Sequence, residues 1–362
     1  MKSPGNWPAG RKFCLDAVTV TAPTLQSLLR DTSRSFYLTL QVLPRAVRPQ
    51  VSLAYLLART TDTIADCDLV PLAMRLQTLV DLRDRITGAS SAPLKLTGHL
   101  TTMGGITSES ERMLLQRCEE TLQLLAGQSD QDLQLIRHVL NTIISGQELD
   151  LRRFGSARFP ELEALENDAE LDDYTYRVAG CVGEFWTHIC RDHLFPEAKV
   201  IGETLLRDGI RFGKGLQLVN ILRDIPADLR NGRCYIPRQS LAAIGLAPAD
   251  LCDAANEPRF RPLYDSLLDR AESHLQAGWN YTNALPAGQR RLRLACAWPI
   301  LFGARTLRRL RRENMLDSSC RIKISRGEIY AIMARSILFP SAADAWKSQF
   351  NRELGREGHS RA

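Results

Sequence analysis

Apolar residues along the chain recur mainly three and four apart, the spacing of one helical face, and the period-two alternation of strands is scarce. The pattern predicts an all-α protein. Its clearest segment is SLAYLLARTTDTIADC, Ser52 to Cys67, entered through Pro49, whose missing N–H suits a first helical turn. Residues 131–151 and 200–224 read as two further helices, apolar on several faces and so expected in the middle of a bundle rather than on its skin. Turn-forming clusters at 87–93, 97–105, 153–160, 231–237 and 245–250 separate such segments. No internal repeat interrupts them. The expectation is one helical domain over residues 21–349, with loosely held tails at 1–20 and 350–362.

Composition narrows the class. The chain has 362 residues, 44% hydrophobic and 24% charged, which excludes disordered, collagen-like and coiled-coil proteins. Nine cysteines, an odd number without CxxC or Cys/His ligand spacing, predict reduced thiols in the cytoplasm and neither a disulfide framework nor a zinc site. No secretory leader is expected from MKSPGNWPAGRKFC, and no stretch approaches the roughly 18 apolar residues of a membrane span. The net charge of +6 is concentrated in RTLRRLRREN and RIKISRG, without the interleaved aromatics of a nucleic-acid surface, so no nucleic acid is expected as partner. The cluster Arg305, Arg308, Arg309, Arg311 and Arg312 reads as a solvated face, with peripheral contact to anionic lipid as the rival reading. His138 and His188 sit among apolar residues and read as core or surface histidines.

Candidate chemistry lies in carboxylates four apart, which fall about 40° from one another on a helix. Four Asp pairs have this spacing: Asp62/Asp66, Asp168/Asp172, Asp224/Asp228 and Asp265/Asp269. Asp168/Asp172 belongs to the acidic run ENDAELDD and Asp265/Asp269 to an ordinary charged helix surface, so both are set aside as solvated. Asp62/Asp66 is different. Tyr55, Arg59, Asp62 and Asp66 form one stripe on a helix otherwise made of Leu, Ala, Ile and Thr. Gln217, Asn220, Asp224 and Asp228, with Arg223 beside them, form a second on another apolar segment. Two acidic stripes with guanidinium and amide partners suit the ionisation of an allylic diphosphate: Mg²⁺ takes one or two carboxylates per ion, and with Arg it stabilises the departing diphosphate. The cation left behind needs an apolar cavity that excludes water.

At these residues the chain resembles the squalene and phytoene synthase family, which joins two isoprenoid diphosphates by their first carbons. The resemblance is carried by TSRSFYLTLQVLP (32–44), YLLARTTDTIAD (55–66), YTYRVAGCVGE (174–184) and LQLVNILRDIPADLRNGRCYIP (216–237), in order over about 200 residues. It implies an isoprenoid-synthase helical bundle with a central apolar cavity. It further implies that Ser33 and Arg34 contact diphosphate, that Tyr55 and Arg59 support the first acidic site, and that Asp62, Asp66, Asp224 and Asp228 hold Mg²⁺. Gln217, Asn220, Arg223 and Arg233 would complete the second site, Tyr174 would steer proton loss, and Val178, Val182 and Gly183 would line the cavity for the prenyl tail. One departure is Pro226 with Ala227 inside the second motif; proline predicts a kink or an end to the helix near Asp224, which makes Asp228 the less secure ligand.

Within the family, DTIAD and RIKISRGEIY (321–330) look more like squalene synthases, and GRCYIP more like phytoene and dehydrosqualene synthases. The squalene branch implies condensation of two farnesyl diphosphates to presqualene diphosphate, then reduction by NADPH, with Lys323 and Arg326 as the candidate cofactor contacts and a monomer as the expected state. The alternatives are phytoene synthase, using geranylgeranyl diphosphate without reductant, and an enzyme that stops at presqualene diphosphate or dehydrosqualene. A non-catalytic scaffold would not be expected to keep all four Asp.

Overall fold

Pro49 occupies the first turn of a helix running Arg48–Ala65, as its lack of a needed N–H predicts. In a computed structural model the described residues are 29, 36–94, 96, 108–157, 159–197, 202–317, 322–338 and 343–356. Over them the chain is almost wholly helical, and none of the helices is long and apolar enough to cross a membrane. The only strands among the described residues are Glu163–Ala164 and Arg233–Cys234, paired in parallel.

Two large apolar cores, with a smaller third cluster around Tyr281, organise the bundle. One is built around the Arg48–Ala65, Leu72–Thr87 and Asp130–Phe154 helices, with Leu56, Leu79 and Ile144 fully buried. The other gathers Leu222, Leu268 and Leu301 from the helices Glu203–Arg230, Glu257–Ala284 and Arg290–Leu310. The Asp130–Phe154 helix, capped by Ser129 accepting from the Asp132 amide at 3.2 Å, contributes to both, its Phe154 ending in the second core. The seam between the cores is where the polar side chains converge.

Of the two outcomes expected of Pro226, a kink or an end, the end does not occur: the helix continues past it to Arg230. The proline lacks the N–H that would bond to the carbonyl of Leu222, four residues back. That carbonyl instead accepts the buried hydroxyl of Tyr264, from the Glu257–Ala284 helix, at 3.1 Å. A neighbouring helix thus supplies the missing donor, and Asp224 and Asp228 stay on one face. Beyond Arg230, Gly232 adopts φ +78, turning the chain so that Arg233 enters the short ladder.

Three further expectations are corrected by packing. Gly183, expected on the cavity wall, lies at a helix crossing: a Cβ there would stand 1.9 Å from the carbonyl oxygen of Gly209. Residues 350–354, expected as the start of a loose tail, complete the helix Ala343–Leu354. Phe350 is buried, and Glu353 is held by Arg305 and Arg335 at 2.7 Å each. The arginine cluster is largely neutralised inside the chain, since Arg309 also pairs with Glu328 at 2.8 Å and Arg311 with Asp269 at 2.6 Å. The tail expected at residues 1–20 lies outside the described residues.

Candidate active site

The first acidic stripe forms as its spacing predicts. Arg59 donates to Glu111 of the Glu109–Gln116 helix at 3.0 Å and lies 3.8 Å from Asp62. Asp62 accepts from Gln147 at 2.5 Å, and Asp66 caps the helix end. Tyr55 is half-buried against the first apolar core and does not reach the cavity described below. Burial pushes Asp62 up to about 6, aided by the charge of Asp66 and opposed by Arg59 and the Gln147 hydrogen bond. Asp66 is raised too, chiefly by burial, with Arg233 and Arg59 opposing.

On the second stripe, Arg223 grips its neighbour Asp224 with two hydrogen bonds, at 2.9 and 2.5 Å, a bidentate arrangement. Asp228 is pushed up to about 7 by burial and by the charge of Asp224, against Arg233. Gln217 points into the same cavity as the first stripe, whereas Asn220 is exposed.

That cavity, of about 290 Å³, opens between the two cores. Its polar lining is Asp62, Asp66, Gln147, Asp150, Gln217 and Arg233; Ile143, Leu151, Val178, Tyr174 and Tyr235 supply apolar surface. Val178 sits on a π-helical turn, Tyr176–Gly180, between the helices Asp168–Thr175 and Cys181–Leu194. Such bulges re-aim side chains at functional sites. A larger recess of about 540 Å³, lined by Arg211, Glu272 and Arg356, lies away from these carboxylates, and its charges are paired, Arg356 with Glu272 at 2.6 Å.

Among the lining residues that escaped the sequence reading, three carry hydrogen-bonding groups: Gln147, Asp150 and Tyr235. Gln147 and Asp150 fall three apart on a helix that carries many other polar residues, so nothing in the sequence singled them out. Asp150 is pushed up to about 6 by burial, opposed by Arg233 and by the hydrogen bond from Tyr235. Tyr235 sits in GRCYIP, where nothing local separates it from a core tyrosine. The structure leaves other expected residues apart from the cavity. Val182 is 39% exposed, and Lys323 and Arg326 are exposed at the start of the Arg326–Leu338 helix, where the Lys323 carbonyl accepts from Arg309. Ser33 and Arg34 lie outside the described residues.

The donor set suits Mg²⁺. Among the described residues no three acidic, His or Cys side chains converge into a closed metal cage. The carboxylates stand instead in pairs, as befits an ion that keeps water and phosphate in its octahedron. Asp62, Asp66 and Asp228 are raised, first by desolvation and in Asp62 and Asp228 also by the neighbouring carboxylate, and the buried Gln147 Oε1 has no partner of its own. A cation at the mouth would answer both.

Comparison with known proteins agrees with this arrangement. The family model described as squalene/phytoene synthase matches residues 29–328. A presqualene diphosphate synthase of Zymomonas mobilis is 30% identical over 256 residues, 71% of this chain and 74% of that one. A 15-cis-phytoene synthase of Synechocystis is 28% identical, covering 74% of this chain and 68% of its own. Among solved structures, a TcSQS complex with a ligand superposes with a TM-score of 0.72, covering 94% of this chain and 93% of that one at 19% identity. Of the two acidic pairs, Asp62 and Asp66 line the cavity, while the second acidic helix contributes Gln217 to it rather than Asp224 or Asp228; with the family match spanning most of its length, the chain belongs to the squalene/phytoene synthase family.

Proposed function

We propose that this chain condenses two molecules of farnesyl diphosphate head to head into presqualene diphosphate. The observation that carries the proposal is the cavity in which Asp62 and Asp66 of one helix and Asp150 of another meet Arg233 beside apolar side chains on the walls. The choice of product is supported by relatives named presqualene diphosphate synthase, of which that from Rhodopseudomonas palustris is 29% identical over 70% of this chain.

Asp62, Asp66, Asp224 and Asp228 would hold Mg²⁺, which when bound supplies a Lewis acid for the departing diphosphate. Arg233 adds fixed positive charge to the cavity, and Arg59 sits beside Asp62, keeping its carboxylate in place. Gln217 donates or accepts at the rim as the diphosphate seats. Ile143, Leu151 and Val178 keep water from the farnesyl cation while the double bond of the second substrate attacks it. Tyr174, buried on the cavity wall, would receive the proton whose loss closes the cyclopropane ring.

Reduction onward to squalene, which the likeness to the squalene branch alone implies, would require NADPH at Lys323 and Arg326. Those residues stand outside the cavity lining, so the proposal stops at the diphosphate. The test is product analysis by gas chromatography and mass spectrometry after incubation with Mg²⁺ and either farnesyl or geranylgeranyl diphosphate, with and without NADPH. Presqualene diphosphate from the shorter substrate, indifferent to NADPH, is the expected result. Squalene appearing only with NADPH would restore the longer sequence of steps, phytoene from the longer substrate would overturn the chain length, and no condensed product from either would overturn the function.

A further inference from the structure

Tyr174 and Tyr235 both line the cavity and are both 8% exposed. Their rings stack with centroids 4.8 Å apart and planes 26° from parallel, and their hydroxyls are near enough to influence one another. The Tyr235 hydroxyl also faces both carboxylate oxygens of Asp150, at 3.0 and 3.1 Å. A hydroxyl has one proton to donate, and an ionised carboxylate can only accept. With the Tyr235 proton directed at Asp150, the Tyr235 oxygen is left to accept the proton of Tyr174. The three groups therefore form a directed line that ends on a carboxylate 15% exposed and 3.8 Å from Arg233.

This line answers a chemical difficulty. A neutral phenol is a weak base, and burial raises Tyr174 well above its ordinary pKa, so no phenolate is at hand. Tyr174 can take a proton from carbon only while giving its own away.

We propose that Asp150, acting through Tyr235, is the final acceptor of the proton lost in the condensation, with Tyr174 as the member that touches the substrate. The inference rests on the condensation set out above. In the step, once the first carbon of the ionised farnesyl unit has bonded to the near carbon of the second substrate's double bond, the cation lies on the far carbon of that double bond. A C–H bond on that first carbon, two carbons from the cation, then breaks and its electron pair closes the cyclopropane ring. That proton bonds to the Tyr174 oxygen, the Tyr174 proton passes to the Tyr235 oxygen, and the Tyr235 proton passes to Asp150. Both tyrosines end neutral, one carboxylate becomes a carboxylic acid, and no oxidant or reductant is needed. Burial pushes Asp150 up to about 6, which makes it a better acceptor than an ordinary carboxylate while still letting it return the proton to water at neutral pH.

The test compares the full chain with Tyr235→Phe, Asp150→Asn and Asp150→Glu, using Mg²⁺ and farnesyl diphosphate. Loss of the relay should lower kcat by on the order of 10²-fold in Tyr235→Phe and Asp150→Asn, with KM held within about twofold. Asp150→Glu, which keeps a carboxylate, should recover much of the rate. The decisive readout is kcat in mixtures of H₂O and D₂O. Two hydroxyl protons moving in the wild type bend the plot of rate against deuterium content, and Tyr235→Phe, which breaks the line, should straighten it. A merely structural role would leave that curvature in place. Wild-type kcat in both relay variants, or unchanged curvature in Tyr235→Phe, would overturn the relay and point to the released diphosphate as the base. Absence of condensed product from the wild type would instead overturn the function itself.

Discussion

Tyr264 gives the sharpest test of how the second acidic helix survives its proline. The Leu222 carbonyl has lost its helical donor to Pro226 and is served by the Tyr264 hydroxyl at 3.1 Å. Tyr264 is 1% exposed, so Tyr264→Phe removes one oxygen from the interior, and no water has an easy route to replace it. Leaving a buried carbonyl unpaired costs about 1–3 kcal/mol. The control is Pro226→Ala, which restores an N–H able to donate to Leu222 from within the helix. In that background the carbonyl keeps a partner, and the cost of Tyr264→Phe should shrink, a coupling of about 1 to 2 kcal/mol between two residues far apart in sequence. Urea unfolding of the four proteins, compared at equal slope, measures it. An equal cost for Tyr264→Phe with and without the proline would refute the account of why the helix continues.

Asp62→Asn should lower turnover by on the order of 10²-fold or more with the fold intact, while Asp168→Asn, whose exposed carboxylate pairs with Arg270 at 3.1 Å, should leave turnover unchanged; steady-state rates and circular dichroism decide, and a silent Asp62→Asn would sink the metal assignment. Gly183→Ala forces a methyl against the Gly209 carbonyl, 1.9 Å away, and should destabilise the protein by about 1–3 kcal/mol, read as a lowered melting temperature. Asp150 carries a pH signature in the metal-free protein. Its folded pKa of about 6 lies above the usual 3.8, so its contribution to stability is complete below 3.8 and disappears as pH rises through 6. At pH 8 the ionised group therefore weighs against folding by up to about 3 kcal/mol, and Asp150→Asn should melt higher than the wild type there but not at pH 4. Identical melting at both pH values would show that the carboxylate is not held in the low-dielectric setting described.

Much of this protein was legible in its residues because the relevant information is local. Helical periodicity located the Arg48–Ala65, Asp130–Phe154 and Glu203–Arg230 helices to within a few residues at most ends, and spacing of four put each Asp pair on one helix face whatever the surroundings. The bland pairs were separable as well: Asp168 and Asp269 do face outward and are met by arginines. Family resemblance then tied the two remaining pairs to one chemistry.

Where the reading failed, the missing information lay on another segment. Pro226 foretells a kink or an end from its own chemistry, and a tyrosine 42 residues beyond Leu222 in sequence provides that residue's carbonyl with the donor the proline lacks. Gly183 resembles a cavity glycine until another helix is found resting on it. The residues 350–354 look like a polar tail until Arg305 and Arg335 close on Glu353. Asp150 and Gln147 reach their partners, Tyr235 and Asp62, across separations of 85 residues in each case. Alone, then, the sequence determined the helices and the face each charged residue would occupy, because backbone periodicity depends on near neighbours. Which of those charges would be buried, and which would share a cavity with a tyrosine or an arginine, was decided by the tertiary structure, because desolvation and pairing depend on groups that only folding brings within a few ångströms.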